Sequence, residues 1–405
     1  MEQKIRSLIL EQANNYGTPL YIYDGNKIME QYHKLKNAFD YPNLKIHYAC
    51  KALTNIAVLK LLKREGAGLD TVSIEEIFLG LEAGFKPEDI IFTPNFVSFD
   101  EVDEAIQKGV KLNVDNLELL EHIGHAYEGL PICIRINPHI IAGGNKNISV
   151  GHIDSKFGVS IHQMPHVERI VDTLNMNIVG VHMHTGSDIL DSDVFLQASE
   201  ILLNVAEKFS ETLEYVDFGS GFKVKYKEND IETDVSDIGQ KLSERMRSFS
   251  SQLNKKIDLL FEPGKFLVSE AGYFAVSVNS IKQTTSTVFA GVNSGFNHLI
   301  RPMMYDAHHD IVNISNPEGR ERIYTVVGYI CETDTFGWNR KMNEIRQGDI
   351  LVMKNAGAYC FSMSSNYNSR LRPAEVLLLD GKSHLIRKRE SRKDLLYNQL
   401  EVELG

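Results

Sequence analysis

The sequence predicts an α/β chain: a (β/α)8 TIM-like barrel followed by a mostly antiparallel β-barrel or sandwich domain. Two observations carry this expectation. From about residue 45 to 262, short apolar runs alternate with segments of helical spacing, giving eight β-then-α units. Eight such units close a barrel, although a doubly wound sheet has the same alternation. After about residue 275, strand patterns follow one another with few helices between them.

Taken in order, "MEQKIRSLILEQANNYG" has no apolar core of signal-peptide length and reads as a short amphipathic helix. "PLYIYD" (19–24) is a strand that precedes the barrel and could pair with it. The eight barrel strands are "IHYAC" (46–50), "AGLDTVS" (67–73), "IIFTPN" (90–95), "KLNVD" (111–115), "ICIRIN" (132–137), "IVGVHMH" (178–184), "YVDFG" (215–219) and "DLLFE" (258–262). Between them lie helical segments. "SIEEIFLGLEAG" has a capping serine, early acids and a closing glycine. The stretch "HIIAGGNKNISVGHIDSKFGVS" is long for a βα connection, and Gly143-Gly144 marks it as a mobile or ligand-facing excursion on the functional rim. Beyond 275, "YFAVSVNSIKQ", "STVFAGV", "RIYTVVGYI", "DILVMKN", "AEVLLLD" and "KSHLIRKR" are strands. Turn pairs such as Asn316-Pro317 and Asp380-Gly381 separate some of them. The tail "KRESRKDLLYNQLEVELG" reads as a terminal helix.

Composition narrows the function. The 405 residues are 43% hydrophobic, enough for a large core and two domains. A net charge of −11 repels nucleic acid and anionic membrane, so neither is an expected partner. No apolar run is long enough to span a bilayer. The four cysteines (Cys50, Cys133, Cys331, Cys360) form no CxxC pair, which reads as a reduced, cytoplasmic protein.

In barrels of this kind the chemistry lies at the C-terminal strand ends. Lys51, Asn95, Arg135, Asn137, His182, His184 and Glu262 all fall there, with the turn Gly219-Ser220-Gly221 after the seventh strand. Any one of them alone reads as a solvated strand end; together they read as a site. Close glycines let backbone N–H groups approach a phosphate, and a tight βα turn also wants them. His182 and His184 are two apart on a strand and face the same way. That is half of a metal site, for which Glu262 could supply a third ligand; alternatively one histidine packs in the barrel and the other stacks on a ligand.

These pieces combine with "YACKALTN", "HMHTGSDI", "DFGSGF", "FEPGKFLV", "LIRPMMY", "YICETD" and "NAGAYCFSMSSNYNSRLRPAEVLL". From about residue 18 to 390 the chain resembles the diaminopimelate decarboxylases, which belong with the ornithine and arginine decarboxylases. They are pyridoxal 5'-phosphate (PLP) enzymes of the alanine racemase-like fold. The resemblance implies a PLP-binding barrel at 26–275, a β domain made of 1–25 plus 276–405, and a homodimer with active sites shared between subunits. It makes Lys51 the Schiff-base lysine and stacks His184 on the cofactor ring. Ser187, Gly219, Ser220, Gly221 and the start of "EPGK" (Gly264, Lys265) surround the phosphate, and Glu262 meets the pyridine nitrogen. Tyr359 lies near cofactor and substrate. Lys265, Arg301, Tyr305 and Glu332 contact the amino-acid substrate, and Cys331 donates a proton in the neighbouring subunit's site. No metal is implied.

The implied chemistry suits these groups. A carboxylate at the ring nitrogen favours its protonated form, whereas alanine racemases place an arginine there. Glu262 thus argues for decarboxylation over racemisation. Meso-diaminopimelate has a distal carboxylate and a distal ammonium, which Arg301 and Glu332 match in charge. Ornithine-type relatives bind no distal carboxylate and usually carry an aspartate after the cysteine. Two departures stand out: Lys265 replaces the usual arginine of EPGR and loses bidentate geometry, and Ser220 replaces the middle glycine of GGG.

Overall fold

The computed structural model describes residues 2–140, 155–184, 186 and 189–404. The chain divides into two compact units, one of residues 29–225 and 230–267, the other of residues 1–28, 226–229 and 268–405.

The first unit is a closed parallel barrel. Its strands are β2 (Leu44–Ala49), β3 (Gly68–Thr71), β4 (Ile90–Phe92), β5 (Lys111–Val114), β6 (Pro131–Asn137), β8 (Asn177–Met183), β9 (Tyr215–Asp217) and β10 (Asp258–Phe261), all numbered along the chain. The short strand β7 (Val159–Ser160) pairs with β6 outside the ring. Neighbours run β5-β4-β3-β2-β10-β9-β8-β6, and β6 pairs back to β5 to close the ring. Both faces of a barrel strand are covered, so the strands read as apolar runs; β8 is buried from Ile178 to Met183. Ile91, Cys133, Val179, Tyr215 and Leu260 form a packed cluster drawn from five strands. Helix starts follow local capping chemistry. Asn55, Ser73, Ser98, Asn116, Asp191 and Asp234 each accept a backbone N–H of the following helix. The long excursion after β6, with Gly143 and Gly144, lies mostly outside the described residues.

The second unit is built on β1 (Leu20–Asp24), which pairs antiparallel with β11 (Gly272–Gln283) and parallel with β17 (Ala374–Leu379). The expectation that "PLYIYD" could pair with the barrel is therefore corrected: both of its edges are occupied within this sheet. β11 also pairs with β12 (Val288–Val292) and β16 (Ile350–Met353). β13 (Ile311–Asn313) joins β16, and β14 (Glu321–Val327) pairs parallel with β12 and antiparallel with β15 (Thr335–Asn343). β17 turns back into β18 (Lys382–Arg387) through Asp380 and Gly381, both left-handed as a tight hairpin turn demands. Ile9 of the amphipathic helix Gln3–Tyr16 packs with Leu20, Ile22, Ala275, Val352 and Val376 in this unit's core.

In this unit two strands were not expected, β13 and β15, nor was the short β7 beside the barrel. β13 is three residues long, and β15 is an edge strand whose Trp338 faces solvent, so neither shows a clear apolar pattern. The expected terminal helix is confined to Arg392–Leu396. The expected boundary at residue 275 falls inside β11. Among the described residues no helix is long and apolar enough to cross a membrane.

Candidate active site

Lys51 sits in a 3-10 turn, Cys50–Ala52, between β2 and the helix Ile56–Glu65 that Asn55 caps. Strand register sets Ala49 beside Asp70 of β3. Lys51 Nζ therefore lies 3.4 Å from Asp70 Oδ2. Asp70 is buried and accepts the Thr93 hydroxyl at 3.0 Å, and Thr93 in turn accepts Asn113 Nδ2 at 3.1 Å. Burial, with Glu262 nearby, pushes the Asp70 carboxyl up to about 7 against the pull of Lys51 and Thr93.

Glu262 directly follows β10. Its Oε2 is 3.0 Å from His182 Nε2 of β8, and both residues are buried. Burial alone would raise the Glu262 carboxyl. Contact with His182 and the charge of Lys51 outweigh it and hold the group well below the usual carboxylate range. Burial lowers His182, so the imidazole is neutral and donates from Nε2. Glu262 Oε1 is also buried and has no N–H or hydroxyl donor among the described residues. Asp217, the last residue of β9, completes a trio with His182 and Glu262 within 4.8 Å of one another. Arg135 of β6 is buried with its guanidinium 4.9 Å from the Phe157 ring centre.

His184 turns elsewhere. Its Nδ1 accepts the Ser220 backbone N–H at 3.2 Å. Burial, with Arg135 and Lys51 nearby, lowers its pKa to about 3, leaving a neutral ring. The trio considered for a metal, His182, His184 and Glu262, is thus not what converges: Asp217 stands in the place of His184, and His182 bonds directly to Glu262.

The glycine turn is built on two left-handed residues, Gly219 (φ 62°) and Gly221 (φ 135°). A Cβ on Gly219 would lie 2.4 Å from the Met183 carbonyl oxygen, and one on Gly221 would lie 2.2 Å from the Gly186 carbonyl oxygen. The middle position has no such demand, which is why it can hold Ser220. The backbone ties the turn to its neighbours, because Glu262 N donates to Gly219 O at 2.6 Å. Ala49 N donates to Pro263 O at 3.2 Å, which places Gly264 and the half-buried Lys265 close in sequence to this junction. Ser187 lies outside the described residues.

The remaining expected residues belong to the other unit. Arg301 opens the short helix Arg301–Tyr305; it is buried and donates to Tyr226 Oη at 2.7 Å. Tyr305 ends that helix, half-buried. Tyr359 holds a left-handed φ of 56°, rare for an aromatic residue. Cys331 and Glu332 are exposed. Asn368 Nδ2 reaches Cys331 Sγ at 3.5 Å, and the Tyr367 hydroxyl bonds to the Glu332 carboxylate. Buried Asp334 shapes this loop by accepting Phe296 N at 2.7 Å and Ile330 N at 2.9 Å.

Asp70, Thr93, Asp217 and Tyr226 were not singled out from the sequence. The signal for Asp70 and Asp217 is an acid at the inner end of an apolar barrel strand, in "GLDT" and "YVD".

The barrel end offers a lysine amine, a neutral aromatic ring beside a backbone-lined turn, and a buried anion with spare acceptor capacity. A phosphorylated pyridine aldehyde needs these groups, and the buried Glu262 Oε1, which receives no N–H or hydroxyl among the described residues, suits a protonated ring nitrogen. The class so defined is a PLP-dependent barrel protein. Residues 25–269 match the family described as "Pyridoxal-dependent decarboxylase, pyridoxal binding domain". The diaminopimelate decarboxylase of Methanothermobacter thermautotrophicus is 41% identical, covering 96% of this chain and 93% of that protein. That of Aquifex aeolicus is 35% identical, covering 97% and 94%. The crystal structure of diaminopimelate decarboxylase from Helicobacter pylori complexed with L-lysine has a TM-score of 0.88 at 32% identity, covering 96% and 98%. The chain belongs to the pyridoxal-dependent decarboxylases and, among them, to the diaminopimelate decarboxylase family. PLP is its cofactor.

Proposed function

We propose that this chain decarboxylates meso-2,6-diaminopimelate to L-lysine and CO2, the last step of lysine biosynthesis. The observation that carries the reading is Glu262, an anionic carboxylate on the rim that Lys51 occupies, with a buried oxygen that receives no N–H or hydroxyl among the described residues. An arginine there would favour racemisation; an anion favours loss of CO2. The bound L-lysine of the Helicobacter relative is the product this reaction would leave.

Bound PLP supplies the electron sink for the charge left by departing CO2. The chain's own residues do the rest. Lys51 Nζ holds the cofactor covalently, and Asp70 beside it provides a carboxyl able to take up or return a proton near neutral pH. The neutral His184 ring would stack on a bound pyridine ring. Ser187 and the Gly219–Gly221 turn, with Gly264 and Lys265, hold the phosphate. Lys265 and Tyr359 bind at the reacting end, and Tyr305 lines the substrate. Arg301 takes the distal carboxylate and Glu332 the distal ammonium. Cys331 returns a proton to the α-carbon. The exposure of Cys331 and Glu332 on their own unit supports a homodimer in which they complete the neighbouring copy's site, and the four free cysteines support a cytoplasmic location.

The test is CO2 release from meso-, LL- and DD-diaminopimelate and from ornithine, with borohydride trapping of the cofactor. Release from the meso isomer alone, with label on Lys51, is the expected result. Label on another lysine, or a preference for ornithine, rejects the reading.

A further inference from the structure

Asp217 has no place in the roles above, yet it touches two of their parts. It is fully buried at the end of β9, in register with His182 of β8 and Leu260 of β10. Its Oδ1 accepts the Gly219 N–H at 2.8 Å. One of its carboxylate oxygens lies within 4.8 Å of one of Glu262's. Asp217 Oδ2 and Glu262 Oε1 are both buried, and among the described residues neither receives an N–H or hydroxyl.

Two ionised carboxylates only repel, so a hydrogen bond between them requires one proton. The surroundings say where it resides. Glu262 has the His182 N–H and the Lys51 charge to sustain its anion. Asp217 faces Glu262, with Asp70 further off, and its apolar-side neighbours Cys133 and Tyr215 are themselves neutral. Burial and the Glu262 charge raise Asp217 well above the usual carboxylate range.

We infer that Asp217 is a positioning residue: as a neutral acid it donates Oδ2–H to Glu262 Oε1 while its Oδ1 anchors the Gly219 N–H. The inference rests on the PLP reading above and deepens it. A carboxylate oxygen accepts more than one hydrogen bond, so Glu262 Oε1 keeps a lone pair for the ring nitrogen. The two groups Asp217 ties together meet opposite ends of one rigid molecule, the ring nitrogen and the phosphate. Asp217 thereby fixes the spacing between them, and by donating to Glu262 it moderates that carboxylate's basicity towards the ring proton.

The experiment compares Asp217→Asn with Asp217→Ala. Asparagine keeps both a donor and an acceptor in place; alanine keeps neither. Apoenzyme is titrated with PLP, and the visible spectrum of each holoenzyme is followed against pH. Asp217→Asn should bind PLP within about 3-fold of wild type with an unchanged spectral pKa, whereas Asp217→Ala should bind on the order of 30-fold more weakly and shift that pKa. Equal loss in both variants means that an ionised aspartate is required and overturns the inference. So does an Asp217→Ala variant with wild-type affinity and spectrum. If Asp217→Ala does not fold, the asparagine variant still decides, because weak PLP binding by folded Asp217→Asn overturns the proposal. Failure of the wild-type apoenzyme to bind PLP would instead sink the parent reading.

Discussion

Lys51 and Asp70 face each other across adjacent strand ends, amine to carboxylate at 3.4 Å, with the acid buried and the lysine side chain partly open to solvent. The pair has a pH consequence. Asp70 is raised to about 7 in the folded protein, so the folded state binds its proton more tightly than the unfolded chain does. Its contribution to stability is therefore present at low pH and lost as pH rises from about 4 towards 7. In thermal melts of the apoenzyme, Asp70→Asn should gain on wild type between pH 5 and pH 8. A relative loss over that range would contradict the assignment.

Glu262→Gln keeps the shape and removes the charge. Turnover should fall about 10²- to 10³-fold, with PLP still bound and its absorbance changed. Steady-state rates and the holoenzyme spectrum measure both, and an unchanged rate would remove Glu262 from the mechanism.

The glycine turn separates two substitutions that look alike on paper. Gly219→Ala drives a Cβ into the Met183 carbonyl and should weaken PLP binding at least about 10-fold, beyond the strain of the left-handed backbone. Ser220→Gly should change binding less than about 3-fold, since backbone donors persist. Equilibrium dialysis with PLP distinguishes them.

Lys265→Arg restores a planar, bidentate cation. KM for meso-diaminopimelate should drop roughly 3- to 10-fold at nearly constant kcat, and Lys265→Met should raise it by a similar factor. No change in KM for either variant would mean that Lys265 does not touch substrate.

Tyr367→Phe removes the hydroxyl that holds the exposed Glu332 carboxylate. KM should rise a few-fold, about the value of one charge-assisted hydrogen bond at a solvated site, while PLP affinity stays the same. A loss of PLP affinity would place Tyr367 elsewhere in the chemistry.

The barrel was legible because its strands are apolar runs at regular spacing, and Lys51, His184 and Glu262 because each stands at the end of one. What was not legible depends on closure of the ring. Asp217 in "YVD" is an ordinary acid until β8 and β10 flank β9 and bring His182 and Glu262 within reach. Asp70 likewise acquires its neighbour only through the β2–β3 register. The spacing of His182 and His184 could not say that one would bond to Glu262 and the other to Ser220 N. In the second unit, β15 escaped notice because an edge strand has little apolar pattern to read.

Strand β1 also imposes an order on synthesis. Its antiparallel neighbour is residues 272–275 and its parallel neighbour residues 374–378. A ribosome adding about 5–20 residues per second leaves Leu20–Asp24 without either partner for on the order of tens of seconds. The barrel's strands, contiguous in the message, can close during that wait. A message truncated ahead of codon 374 would therefore yield no smaller working enzyme. A product ending between β11 and β17 would carry β1 with its parallel edge bare, an apolar strand open to chaperones and proteases.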